Sequence, residues 1–205
     1  MSARFVSRAG EKLRGALDAF GVGARVAGRV CADFGCNVGG FTDCLLQAGA
    51  VKVFAIDTGY GELAWTLRKD PRVVVMERTN ALYADVAEPV DLVVIDVAWT
   101  PQRLAVPAAL RWLKPGQGQQ DPERDPLDGP LIISLIKPHY EAEKFLGRKP
   151  HGPLSPEQSA DIARQVCDGL DTDNTLPCRV LNLTPSPLLG KGGNREFLTL
   201  ISPTY

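Results

Sequence analysis

This chain predicts an α/β fold: a mostly parallel sheet wound by helices on both faces. Three observations carry that expectation. Short apolar segments alternate with helical ones along most of the chain, the pattern of crossover connections between parallel strands. The first apolar segment runs into a glycine-rich turn and then a helix, and the second ends in an aspartate about twenty residues on. The last two apolar segments have no helix between them, so they should pair antiparallel as a hairpin at one edge. The sum is a Rossmann-like sheet of seven strands.

The elements follow in order. VSRAGEKLRGALDAFGV reads as a helix within residues 1–22, because Val6, Leu13, Leu17 and Phe20 share one helical face and Gly21 marks its end. RVCADF is the first strand, and FTDCLLQAGA the helix after its turn. KVFAID is the second strand, YGELAWTLRKD a helix, RVVVME the third strand and VDLVVID the fourth. QRLAVPAALRWL reads as a helix in which Pro107 is either a kink or the true start. Residues 115–129 form a polar, acidic loop expected to be mobile. PLIISLIK is the fifth strand. LSPEQSADIARQVCDGL is a helix opened by Ser155 as cap, Pro156 in the first turn and Gln158 closing a capping box. CRVLNLT and REFLTLIS are the last two strands, joined by PSPLLGKGGN.

Composition narrows the function classes. With 205 residues and 44% hydrophobic content, the chain suits one domain over 1–205 with one core. No apolar run approaches the roughly 18–20 residues that span a bilayer, and the basic start lacks the apolar stretch of a signal peptide. A cytoplasmic protein with no membrane partner is expected. The five cysteines form no CxxC pair, and His139 and His151 are not spaced as zinc ligands, so no metal is expected. The net charge of −1 excludes global attraction to nucleic acid. Charge is uneven, however: Arg4, Arg8, Lys12, Arg14, Arg25 and Arg29 face only Glu11 and Asp18 in the first 29 residues, and acid gathers at Asp121, Glu123, Asp125 and Asp128. The basic segment is either a local RNA-binding surface or a solvated helix face. An RNA-binding role would put Arg4, Arg8 and Arg14 beside the cofactor pocket.

Open α/β sheets bind ligands beyond the carboxyl ends of their strands. The first strand there reads Asp33-Phe34-Gly35-Cys36-Asn37-Val38-Gly39-Gly40-Phe41. A dinucleotide calls for GxGxxG to seat its pyrophosphate on the helix start; this turn is GxxxGG. S-adenosylmethionine carries no phosphate and needs room for a methionine arm, so it suits the looser turn. Asp57 can accept the ribose hydroxyls of an adenosine, and Asn80 either contacts the adenine or is ordinary turn chemistry. The cofactor set is therefore Asp33, Gly35, Asn37, Gly39, Gly40, Phe41, Asp57, Asn80 and Asp96.

Asp96 ends the fourth strand and Lys137 the fifth, so both side chains belong at the same rim. Charges at the ends of apolar strands are costly to bury alone. A satisfied ion pair is one reading of them, a catalytic pair the other. Lys12, Asp96, Lys137 and Glu196 match, in order and context, the Lys-Asp-Lys-Glu tetrad of the FtsJ-like ribose methyltransferases. More narrowly the chain resembles the TlyA family, which also carries a hemolysin label, through VSRAGEKLRGAL, GCNVGGFTDCLLQAGA, VFAIDTGYGELAWTLRKDPRVVVMERTNA, DLVVIDV, LIKPHYEA and LTPSPLLGKGGNREFL. The resemblance implies a class I methyltransferase fold and methyl transfer from S-adenosylmethionine to a ribose 2′-hydroxyl, with rRNA or a ribosomal subunit as partner. It implies Lys137 as base, Asp96 orienting it, Lys12 as a neighbouring cation, and Glu196 holding Lys12 or the ribose. A lysine in water is protonated at neutral pH, so a base role requires burial and nearby cations to offset that.

The chain departs from the family in four places. It starts at the first catalytic helix, where relatives carry a small RNA-binding domain, so a protein partner or oligomer is expected in its stead. The 115–129 loop reads as an insertion, and Cys36-Asn37-Val38 replaces a more usual Ala-Ser-Thr. Trp99 stands where a smaller aromatic is common, and would either stack on a base or pack in its loop. The hemolysin label implies an amphipathic or spanning segment, and the chain has none. A non-catalytic module holding S-adenosylmethionine or RNA, a small-molecule methyltransferase and a dehydrogenase are the competing functions.

Overall fold

The computed structural model describes residues 4–115, 125–147, 150 and 152–204. Among them, β1 (Val30–Phe34), β2 (Lys52–Ile56), β3 (Val73–Met76), β4 (Leu92–Ile95), β5 (Leu131–Ile136), β6 (Cys178–Pro185) and β7 (Phe197–Pro203) form one sheet. Its order is β3-β2-β1-β4-β5-β7-β6. The first five strands run parallel, and β7 is antiparallel to both β5 and β6. The expected hairpin is present, but β7 inserts between β5 and β6, so β6 takes the outer edge. β4 and β5 are buried at every position, as strands covered on both faces must be, and this is why they read as unbroken apolar runs.

Helices cover both faces: α1 (Ala9–Ala19), α2 (Gly40–Gln47), α3 (Trp65–Arg68), α4 (Gln102–Leu110), α5 (Pro138–Leu146) and α6 (Pro156–Asp171). On one face Leu13 and Leu17 of α1 pack with Phe41 and Leu45 of α2 over Cys31, Val94 and Ile133. On the other, Trp112 is fully buried and meets Phe34 and Phe54 edge-on at 5.8 and 5.7 Å. Such aromatic pairs add to the burial of their area.

Several helix limits differ from expectation. The first helix begins only at Ala9 and ends at Ala19, where Gly21 turns left-handed (φ 68°) and the Val22 N–H returns to the Leu17 carbonyl. The third helix shrinks from 60–70 to a single turn, because Gly59 N–H is held by Asp57 and Gly61 N–H by Glu77. Pro107 lies inside α4, not at its start. α5, directly after Lys137, has no counterpart in the sequence reading. Pro138 opens it and Gly147 closes it in a left-handed turn (φ 67°). The capping box at Ser155 and Gln158 is formed as expected.

Of the 115–129 loop, residues 116–124, including Asp121 and Glu123, lie outside the described residues. Its end is anchored: Arg25 pairs with Asp125 at 2.9 Å and with Asp128, and Arg29 donates to the Gly129 carbonyl at 2.9 Å. This anchor is at the amino ends of the strands, away from the site.

Candidate active site

Close packing dictates the glycines of the turn after β1. A Cβ on Gly35 (φ 85°) would sit 2.8 Å from the Asp96 carbonyl, so the ends of β1 and β4 touch only because residue 35 has no side chain. A Cβ on Gly40 would sit 2.3 Å from Ser7 Oγ, which brings the segment before α1 onto the start of α2. Gly39 (φ 103°) leaves room for Leu63 and Leu67. These glycines shape the site through packing of the protein on itself.

Beyond the turn lies a cavity of about 470 Å³, lined by Asn37, Asp57, Asn80, Asp96 and the 97–100 backbone segment. Asp57 is held in place by accepting the Asn37 N–H (2.9 Å) and the Gly59 N–H (2.7 Å). Asn80 Oδ1 accepts the Leu82 N–H, so its turn chemistry and its place on the cavity wall coexist. Among the described residues, two carboxylates and no lysine or arginine line this space. Such a wall repels a diphosphate and suits a cationic ligand with hydroxyl donors. A second cavity, about 240 Å³, continues from it through Gly35, Asn37, Asp96 and Ala98 and reaches Ser7, Phe41 and Lys137.

Asp96 stands at the junction of the two cavities. Lys137 Nζ lies 2.6 Å from its Oδ1 and donates to the Val97 carbonyl at 3.1 Å. Lys12 Nζ, on α1, meets Glu196 Oε2 at 2.5 Å, across 184 positions of sequence. Both members of this pair are buried. The β5–β7 register pairs Ile136 with Phe197, so Lys137 and Glu196 follow on neighbouring strands. The tetrad is thus two ion pairs side by side, and of the two partners open to Glu196 it takes Lys12. Gly190 makes room for the Glu196 carboxylate, since a Cβ there would clash with Oε1.

Asp33 departs from its expected role. It is fully buried and lines neither cavity. Its Oδ2 accepts from Thr42 Oγ1 at 2.6 Å, while Oδ1 has no hydrogen-bond partner among the described residues. Burial pushes its carboxyl up to about 7, against the pull of the Thr42 bond. It tethers β1 to α2 behind the turn.

A third cavity, about 700 Å³, opens beside the tetrad between Trp99, His139, Tyr140 and Lys191. Trp99 is largely exposed, and its ring lies 4.5 Å from that of Tyr140. Of its two readings, the packed loop tryptophan is the one that fails. Burial holds the His139 imidazole below its usual range, hence neutral at pH 7. Sequence reading missed His139, Tyr140, Ser7 and Lys191. The available signal was the aromatic pair directly after Lys137-Pro138, on the helix that went unread.

The arginines of the basic segment do not line these cavities, although Ser7 and Ala9, on either side of Arg8 in sequence, line the second. Arg14 pairs with Asp18 and lies against Gly23, and the Arg4 guanidinium sits 5.3 Å over Phe5. Neither they nor Arg8 line any of the three cavities. An acid one turn away captures Arg14, a local pairing that charge counting overlooks. Among the described residues no cluster of three His, Cys, Asp or Glu is placed to hold a metal, and no helix is long and apolar enough to cross a membrane. His151 lies outside the described residues.

Comparison with known proteins agrees with this geometry. The model of the FtsJ-like methyltransferase family matches residues 5–201. The chain is 39% identical over 197 residues to the Mycobacterium tuberculosis protein named 16S/23S rRNA (cytidine-2′-O)-methyltransferase TlyA, covering 94% of this chain and 66% of that one. It is 34% identical over 203 residues to Hemolysin A of Brachyspira hyodysenteriae, covering 95% and 75%. A solved structure from Lactococcus lactis, provisionally named a hemolysin, superposes with a TM-score of 0.81 at 33% identity, over 98% of this chain and 89% of that one. Against the TlyA of M. tuberculosis and the Bacillus subtilis relative YqxC, the chain spans only 66% and 64% of their length. An O-methyltransferase from Bacillus cereus shares the fold alone, with a TM-score of 0.60 at 17% identity, over 98% of this chain and 84% of that one. With its full run of strands, its strand-end charges and a family match across nearly its whole length, the chain belongs to the FtsJ-like methyltransferase family.

Proposed function

We propose that this protein transfers a methyl group from S-adenosylmethionine to a ribose 2′-hydroxyl of RNA, with rRNA as the substrate, acting in the cytoplasm as one domain over 1–205. The observation that carries the proposal is the Asp96–Lys137 pair at the junction of the two joined cavities, with Lys12–Glu196 beside it. The names of the TlyA relatives support the RNA substrate.

S-adenosylmethionine, when bound, supplies an electrophilic methyl group on a sulfonium. The 470 Å³ cavity suits its adenosine: the Asp57 carboxylate would accept the ribose hydroxyls, and Asn80 would face the base. Asn37, Phe41 and Gly35 would border the methionine arm toward the smaller cavity. Gly39, Gly40 and Asp33 would serve by packing.

A ribose hydroxyl is a poor nucleophile and must lose its proton as it attacks. Lys137 Nζ is the group positioned to take that proton. Asp96 and the Val97 carbonyl aim it. Lys12 is fixed by Glu196 as the second ion pair of the tetrad. Much of the rate comes from alignment of the reacting groups. Trp99 and Tyr140 offer faces on which an unstacked base can lie, and Lys191 a cation at the rim.

One observation favours a small-molecule substrate: none of Arg4, Arg8 and Arg14 lines the cavities. A single assay separates the readings. Label from methyl-tritiated S-adenosylmethionine is followed into total RNA and into ribosomal subunits from an unmethylated source. Transfer to ribose is expected, with a loss of about 10²-fold or more in Lys137→Ala while cofactor affinity is kept. Near-normal turnover in that variant would remove Lys137 as base. Cofactor binding without transfer to any RNA would favour the small-molecule or non-catalytic reading.

A further inference from the structure

The loop from Val97 to Pro101 borders the cofactor cavity through Val97 to Thr100, and its Trp99 also lines the aromatic cavity. It is an unusual piece of backbone. Trp99 holds a left-handed conformation (φ 62°) although it is not glycine. Such a conformation is costly and persists only where surrounding bonds over-determine it.

Both ends of the loop are held by the first turn of α5. At its start, Lys137, the residue that caps α5, bonds to Asp96 and to the Val97 carbonyl. At its end, Glu141 Oε1 accepts the backbone N–H of Gln102, the first residue of α4, at 2.8 Å. That N–H has no intrahelical partner, and the residue capping α4 is Pro101, which has no side-chain acceptor to offer. Glu141 therefore caps α4 from a different helix. Its negative charge also suits a helix N-terminus. The Gln102 side chain reinforces the anchor through Ser134 Oγ (2.6 Å) and the Leu135 carbonyl (3.2 Å) of β5. Lys137 and Glu141 are four residues apart, hence on one face of α5.

We infer that Glu141 is a positioning residue: with Lys137 it makes the start of α5 a two-pronged clamp that sets the 97–101 loop, and with it Trp99 and the Val97 carbonyl that aims Lys137. Glu141 is buried and faces neither the cofactor cavity nor the aromatic one. Its influence passes through the Gln102 backbone. The part of the inference that concerns turnover rests on the methyl-transfer function proposed above.

The test compares Glu141→Ala with Glu141→Gln in the full chain, by amide hydrogen exchange over residues 97–102 and by steady-state methylation of RNA. An amide oxygen can still accept the Gln102 N–H, so the Gln variant should keep wild-type exchange and turnover within about threefold. The Ala variant should exchange faster at 97–102 with the rest of the sheet protected. It should also lose about tenfold or more in kcat/KM, with KM for RNA raised because Trp99 is displaced. A merely structural role would lower the active fraction without changing KM or localising exchange. Wild-type exchange at 97–102 in Glu141→Ala, or no rescue by Gln in a folded variant, overturns the clamp. A wild type that methylates no RNA overturns the function and the claim on turnover, and is told apart because the exchange comparison needs no activity.

Discussion

Both ends of the sheet carry ion pairs and use them differently. At the amino ends, Arg25 meets Asp125 and Asp128, Lys114 meets Asp91 and Lys52 meets Glu88, with side chains 24–56% exposed. At the carboxyl ends, Lys12–Glu196 and Lys137–Asp96 are 4–20% exposed. The chemistry of each pair is the same, but the surroundings are not. In water an ion pair adds little, because screening and side-chain entropy offset the attraction. In the interior the desolvation of both charges must be matched by their partners, and an apolar pair would often be as stable. The buried pairs stand at the end with the cavities, as the proposed chemistry requires; at the other end the exposed Arg25 pairs hold the 125–128 turn.

The largest effect expected from this contrast is at the buried pair. Lys12→Ala leaves Glu196 buried without its cation and should cost about 3–5 kcal/mol of stability. Restoring apolar shape on both sides, Lys12→Met with Glu196→Leu, should recover most of that stability while methyl transfer stays lost. Chemical denaturation of both variants checks it; a Lys12→Ala loss below about 1 kcal/mol would erase the distinction between the two ends.

Next in size is Asp33, where a buried carboxyl sits without a cation. Its folded value of about 7 is above the ordinary value near 4. The folded state therefore holds the proton more tightly, and stability falls as pH rises from about 4 to 7, then levels off. Asp33→Asn has no proton to lose. It should equal the wild type near pH 4 and exceed it by up to about 4 kcal/mol at pH 8. Comparing the two proteins at each pH cancels the exposed carboxylates that Arg72, Arg68 and Thr175 hold low, which act in the opposite direction. Parallel stability curves would show that Asp33 stays ionised in the fold.

The smallest effect belongs to the amino end. Arg25→Ala should change stability by no more than about 1 kcal/mol and leave turnover unaltered, and the change should shrink in high salt. A drop in turnover would connect the 125–128 turn to the site across the sheet.

The sequence carried a great deal of this structure, and where it stopped is instructive. All seven strands were legible, the central ones because burial on both faces writes unbroken apolar runs, as in Leu131–Ile136, while the edge strands β3 and β6 are only partly buried. Asp96 and Lys137 were legible because a charge ending such a run needs a reason. The helix after Lys137 was not, since PHYEAEKFL buries only Pro138, Glu141 and Ala142, too little to print a periodic apolar face. The turn glycines were legible as glycines but not as packing requirements, since the atoms they admit belong to Ser7, Leu67 and Asp96.

By itself the sequence determined the order and kind of nearly every element, the strand-end charges and the glycine turn, because propensity, periodicity and capping act over a few neighbouring residues. Only the tertiary structure decided that β7 enters between β5 and β6, that Glu196 reaches Lys12, and that Asp33 is sealed beneath the turn. Each of those depends on which surfaces meet across the sheet. Burial and Coulomb energy depend on distance in space, and spacing along the chain does not report it.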